Sequence, residues 1–165
     1  MERRVKAGPG AEADPTQSLI QGLAGIVFLA ALVTPGLVRR FSWSHVPLII
    51  VFGGDTLVAI GFLIVFLVFR ENTFTSGTIE LAEDKRVINT GPYAIVRHPM
   101  YAGALVMFVG MPLALGSWWG LLVAAAIVPV LIMRLEREES FLAQNLTGYA
   151  NYQNLVRFKL VPRVR

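Results

Sequence analysis

Long runs without charge constrain this chain most. Residues 19–38 (LIQGLAGIVFLAALVTPGLV) hold no charged side chain, and neither do residues 46–54 or 56–69. Two further uncharged runs flank Gly-Ser-Trp-Trp-Gly at residues 116–120. About twenty apolar residues in a helix cross the roughly 30 Å of hydrocarbon in a bilayer. Only 16% of the 165 residues are charged, and 55% are hydrophobic; soluble domains usually carry about a quarter charged residues. The pattern predicts an all-α integral membrane protein with four transmembrane helices, at about residues 18–38, 46–69, 100–116 and 118–133.

Orientation follows from the basic residues. With the N-terminus inside, four spans put residues 1–17, 70–99 and 134–165 on one side, together with thirteen of the fifteen Lys and Arg residues. Only Arg39 and Arg40 fall on the other. The positive-inside rule makes the basic side cytoplasmic, with both termini there. Residues 1–17 begin with Arg3, Arg4 and Lys6, but a Gly/Pro/Asp-containing stretch separates these from the first apolar run. That run is long enough to span, so the expectation is a flexible tail before an uncleaved span. The cysteine-free composition, basic loops and short spans fit a prokaryotic cell membrane. A net charge of +4 then points to anionic lipid and not to nucleic acid.

The absence of cysteine rules out disulfides, thiolate-bound metal and thiol catalysis. Two histidines far apart make a poor ligand set, so no metal is expected. Asp55 is the one charge in the second span. It suits an interface-level acid better than a polar group facing the bundle interior.

The last two spans are short, about 24 Å each, and Pro112 and Pro129 should kink them. Gly-Ser-Trp-Trp-Gly reads as a tight hairpin between them, its tryptophans suited to an interfacial belt. Residues 134–153 read as helix, with Leu135, Leu142, Leu146 and Tyr149 on one stripe and Arg134 one turn from Glu138. Gly148 should break that helix or begin a second short one.

Just before the third span stands GPYAIVRHPMYAG, residues 91–103. Pro99 suits the first turn of a helix, which makes His98 its cap. The unpaired N–H groups of that helix start favour a carboxylate or phosphate. Gly103 allows close approach, and Tyr93 and Tyr101 offer flat faces with polar tips. Taken alone, these residues equally suit interfacial anchoring. After the last span comes RLEREES, in which Glu138 or Glu139 can meet an ammonium and Arg134 a carboxylate or phosphate. Alone, this stretch also reads as a solvated helix of mixed charge.

Together, TGPYAIVRHPMYAG, then REES one hairpin later, then GYANY and VRFKLVP, resemble the isoprenylcysteine carboxyl methyltransferase family. That family belongs to a wider group with the phospholipid methyltransferases. The resemblance covers roughly residues 78–162; the first two spans match only as generic spans. It implies S-adenosyl-L-methionine as cofactor, bound at the cytoplasmic face. Lys85, Arg86, Val87 and Ile88 would line it, with Tyr93, His98, Pro99, Met100 and Tyr101. Glu138 would meet the methionine ammonium, and Arg134 would act on the methyl acceptor. Where many members carry Phe-Gly before the tyrosine pair, this chain has Leu-Thr-Gly-Tyr, so Tyr149 and Tyr152 receive no cofactor role. No glycine-rich strand–turn–helix fingerprint appears, which argues against a Rossmann domain.

Two other functions compete with a methyltransferase acting on a lipophilic or small acceptor. Membrane sterol reductases carry a similar C-terminal core and bind NADPH, but they are much larger. A non-catalytic membrane subunit would not need the intact Arg-His-Pro-Met-Tyr-Ala-Gly run with Arg134 and Glu138. The acceptor could be an isoprenoid carboxylate, a phospholipid amine, a small thiol or a quinone-like lipid.

Overall fold

The computed structural model describes residues 15–72 and 87–162, and these form helices without a strand. Helix α1 runs Pro15–Phe41, α2 Leu48–Glu71, α3 Pro99–Ala114, α4 Trp118–Ala125, α5 Ile127–Asn145 and α6 Tyr149–Leu155, with a 3₁₀ turn at Gly91–Ala94. Three helices are long and apolar enough to cross a membrane: α1, α2 and the rod Trp118–Asn145 formed by α4 and α5 together. The 16 residues of α3 rise only about 24 Å.

Local chemistry sets most boundaries. Pro99 stands at the first position of α3 with His98 as N-cap, since a proline there forfeits no helical hydrogen bond. Ser117, fully buried, caps α4 by accepting from the Gly120 N–H at 3.0 Å. The turn at Ala126 between α4 and α5 lies one residue after Ala125, whose carbonyl Pro129 cannot serve because it lacks an N–H. Beyond Met133 charged residues begin, but the helix continues to Asn145. Charge ends the apolar span without ending the helix. Gly148, at φ 86°, then turns the chain into α6 through a left-handed conformation that a side chain would strain.

Helices α2 and α3 pack antiparallel through glycines spaced by seven residues. A Cβ on Gly110 would lie 2.9 Å from the Gly54 carbonyl oxygen, and one on Gly61 would lie 2.8 Å from that of Gly103. Backbones this close fit only small residues, as in many membrane helix pairs. Helix α1 lies against α4 and α5 and buries Gln17, Ile20, Ala31, Pro35 and Val38. Asp55 is exposed on α2 and does not face the bundle interior.

After α6 the chain returns to the start of α3. The Arg97 N–H donates to the Phe158 carbonyl at 2.9 Å and the His98 N–H to that of Lys159 at 3.0 Å. Tyr149, Tyr152 and Val156 are buried together, with Val87, Leu142 and Leu146 packed on them. The C-terminal segment thus closes over the junction of α3 with the polar end of α5.

Candidate active site

Two charged groups of residues meet at that junction. The first centres on Glu139, which continues the buried row Ile127, Leu131 and Leu135 of α5 and is 7% exposed. A lone carboxylate buried there would be costly, so it must be paired. Arg97 Nε donates to Glu139 Oε1 at 2.6 Å, and Lys159 Nζ stands 3.1 Å from Oε2. Arg97 Nη1 also donates to the Val156 carbonyl at 3.0 Å. One guanidinium therefore fastens the residues before α3 to both α5 and the C-terminal segment. His98 Nε2 lies 3.4 Å from Glu139 Oε1 but makes no aligned hydrogen bond among the described residues, although the residue is only 5% exposed.

The second group is a chain of polar contacts across three helices. The Tyr101 hydroxyl donates to Glu138 Oε2 at 2.6 Å and accepts from Arg134 Nε at 3.1 Å. Arg134 Nη1 donates in turn to the Gln17 side-chain carbonyl on α1 at 3.5 Å. One phenol thus links an acid, able to hold a cation, to a guanidinium suited to an anion. The His98 and Tyr101 rings lie 5.8 Å apart between centroids, which joins the two groups into one site.

Tyrosines line one side of the site. The Tyr152 hydroxyl donates to the Tyr93 carbonyl at 2.8 Å, and Asn72 Nδ2 donates to the Tyr93 hydroxyl at 3.1 Å. Burial, with the neighbouring Tyr93 adding to it, pushes the Tyr152 hydroxyl up to about 12. Burial raises that of Tyr149 too, helped by the nearby charge of Glu139. Both hydroxyls therefore stay protonated and can donate. That of Tyr149 is buried without a hydrogen-bond partner among the described residues.

Of the residues expected from sequence, His98, Tyr101, Arg134 and Glu138 come together. Pro99 is buried and Met100 half-buried at the start of α3. Tyr93 bonds to Asn72 and Tyr152, as above. Val87 packs on the tyrosine cluster, and Ile88 is half-buried beside it in sequence. Lys85 and Arg86 lie outside the described residues. Sequence reasoning left Arg97, Lys159 and Gln17 without a role, and it read Glu139 only as a carboxylate beside Glu138 able to meet an ammonium, not as the buried partner of Arg97. For Glu139 a signal existed: an acid on the row of Ile127, Leu131 and Leu135 requires a buried partner.

The donor set suits a zwitterionic amino-acid moiety such as that of S-adenosylmethionine. Two buried polar atoms of the site, His98 Nε2 and the Tyr149 hydroxyl, lack aligned partners among the described residues. The Tyr149 hydroxyl feels the charges of both Glu139 and Glu138. Donors for a carboxylate and an acid for an ammonium thus occur in one place. No group of three or more His, Cys, Asp or Glu side chains able to hold a metal gathers among the described residues.

A search of curated proteins found no match. The family model described as phospholipid methyltransferase matches residues 49–148, from the second residue of α2 to the glycine before α6. It reaches further towards the N-terminus than the resemblance read from the motifs, because α2 belongs to it. With well over half of its residues matched, and with the junction of α3 and α5 inside the matched region, the chain belongs to the phospholipid methyltransferase family.

Proposed function

We propose that the protein is a four-span membrane methyltransferase of the isoprenylcysteine carboxyl methyltransferase type. It would use S-adenosylmethionine and act on a lipophilic acceptor bearing an anionic group. The observation that carries the reading is the contact chain Glu138–Tyr101–Arg134, which pairs a site for a cation with a site for an anion. Family membership supports methyl transfer in a membrane and disfavours the NADPH-dependent reductase. The thirteen-to-two division of Lys and Arg supports cytoplasmic termini and a site at the cytoplasmic boundary.

The cofactor supplies a methyl group already activated on a sulfonium. The protein's task is then to hold a nucleophile close and in line, without a covalent enzyme intermediate. Glu138 holds the methionine ammonium, while His98 and Tyr149 donate to the carboxylate end. Tyr101 keeps the Glu138 carboxylate turned into the site. Arg134 orients the acceptor's anionic group, and the acceptor's tail remains in lipid beside the short helix α3.

Calorimetry of the detergent-solubilised protein tests this. S-adenosylhomocysteine should bind, NADPH should not, and Glu138→Ala should weaken the former. Binding of NADPH in its place, or of neither, would overturn the reading.

A further inference from the structure

Helix α1 lies wholly outside the region that carries the family match, residues 49–148, yet it reaches the site. Gln17 is 4% exposed, on a helix whose other buried residues are Ile20, Ala31, Pro35 and Val38. A carboxamide on such a face needs a polar partner, and its oxygen accepts from Arg134 Nη1 at 3.5 Å. Gln21, one turn along, buries its side-chain oxygen as well. Arg134 is therefore engaged at Nε by a phenol on α3 and at Nη1 by a carboxamide on α1. A planar guanidinium held at two nitrogens from two helices can rotate little about its stem.

We infer that Gln17 is a positioning residue for Arg134, through which α1 sets the angle at which an anionic acceptor group is received. This rests on the reading that Arg134 meets the acceptor. A carboxamide suits the task because it accepts a hydrogen bond without neutralising the guanidinium, whereas a carboxylate would compete with the acceptor. An apolar side chain would remove one of the two contacts that fix the angle of the fork.

The test uses the full chain in dodecylmaltoside micelles, with radiolabelled dodecyl phosphate as a lipophilic anion and S-adenosylhomocysteine as the second probe. Arg134→Ala should lose dodecyl phosphate binding. Gln17→Met, of similar length, should weaken it about three- to tenfold, as expected when one long hydrogen bond that positions the guanidinium is lost. It should fold, and its affinity for S-adenosylhomocysteine should match the parent. Gln17→Glu keeps an accepting oxygen and should fold, but should bind dodecyl phosphate more weakly still. It carries the test if Gln17→Met does not fold. Parental binding by the Gln17 variants, alongside loss in Arg134→Ala, would overturn the positioning role and leave the Arg134 reading standing. Parental binding by Arg134→Ala would overturn both. A parallel fall in affinity for both probes would make Gln17 purely structural and overturn the proposal.

Discussion

Arg97→Met should cost more stability than any other single change at the site. The Arg97 and Glu139 side chains are 8% and 9% exposed and meet at 2.6 Å. Removing one partner of a buried pair costs about 3–5 kcal/mol, because the other charge stays buried. The lost bond to the Val156 carbonyl adds about 1 kcal/mol. Lys159 at 3.1 Å, itself 39% exposed, and His98 at 3.4 Å remain beside Glu139 and offset part of this. The expected net loss is about 3 kcal/mol. Arg97→Lys keeps the charge but not the fork, so it should fall between parent and Arg97→Met. The assay is unfolding in dodecylmaltoside–dodecyl sulfate mixed micelles followed by tryptophan fluorescence, for Arg97→Met, Glu139→Gln and the double variant. Because the two side chains touch, the cycle should show a coupling of about 1–3 kcal/mol. Arg97→Met within about 0.5 kcal/mol of the parent, the range of ordinary surface substitutions, would refute the claim that this pair ties the helices together.

Glu138→Ala and His98→Ala should each weaken S-adenosylmethionine binding about ten- to a hundredfold, the worth of one charge-assisted hydrogen bond; calorimetry reads this directly. Gly110→Ala would place a Cβ 2.8 Å from that of Leu57 and should destabilise by about 1–3 kcal/mol through overpacking. By contrast, Gly25→Ala meets nothing within 4 Å and should be neutral or slightly stabilising in the same unfolding assay. The chain has no cysteine, so single cysteines report topology cleanly. His45→Cys should react with an impermeant maleimide from outside the cell and Gln144→Cys only after lysis, both positions being exposed.

Much of the fold was legible because a bilayer demands long uncharged runs and proline and glycine mark helix ends. Residues 18–38 and 46–69 became Pro15–Phe41 and Leu48–Glu71, and 100–116 became Pro99–Ala114. The last span, placed at 118–133, is the apolar part of a rod reaching Asn145. Where a span stops, hydrophobicity decides; where a helix stops, capping and backbone conformation decide. Gly148 was recognisable as a breaker because the polar residues before it keep helical spacing.

The site was legible only where its residues cluster in sequence. His98, Tyr101, Arg134 and Glu138 sit in short motifs, and the motifs proved to be neighbours in space. Glu139 and Gln17 sent a different signal. Each is a buried polar residue on a helix whose other buried residues are apolar, and there an unpaired group is costly. Periodicity can therefore show that a partner exists. It cannot show which one, because Glu139 draws Arg97 from 42 residues away and Arg134 draws Gln17 from 117. Those pairings depend on how α1 and the returning C-terminal segment pack against α5. That packing comes from apolar faces that many registers could satisfy. A buried polar pair is satisfied only where its two members meet, so the residues hardest to assign from sequence also narrow the registers open to those faces.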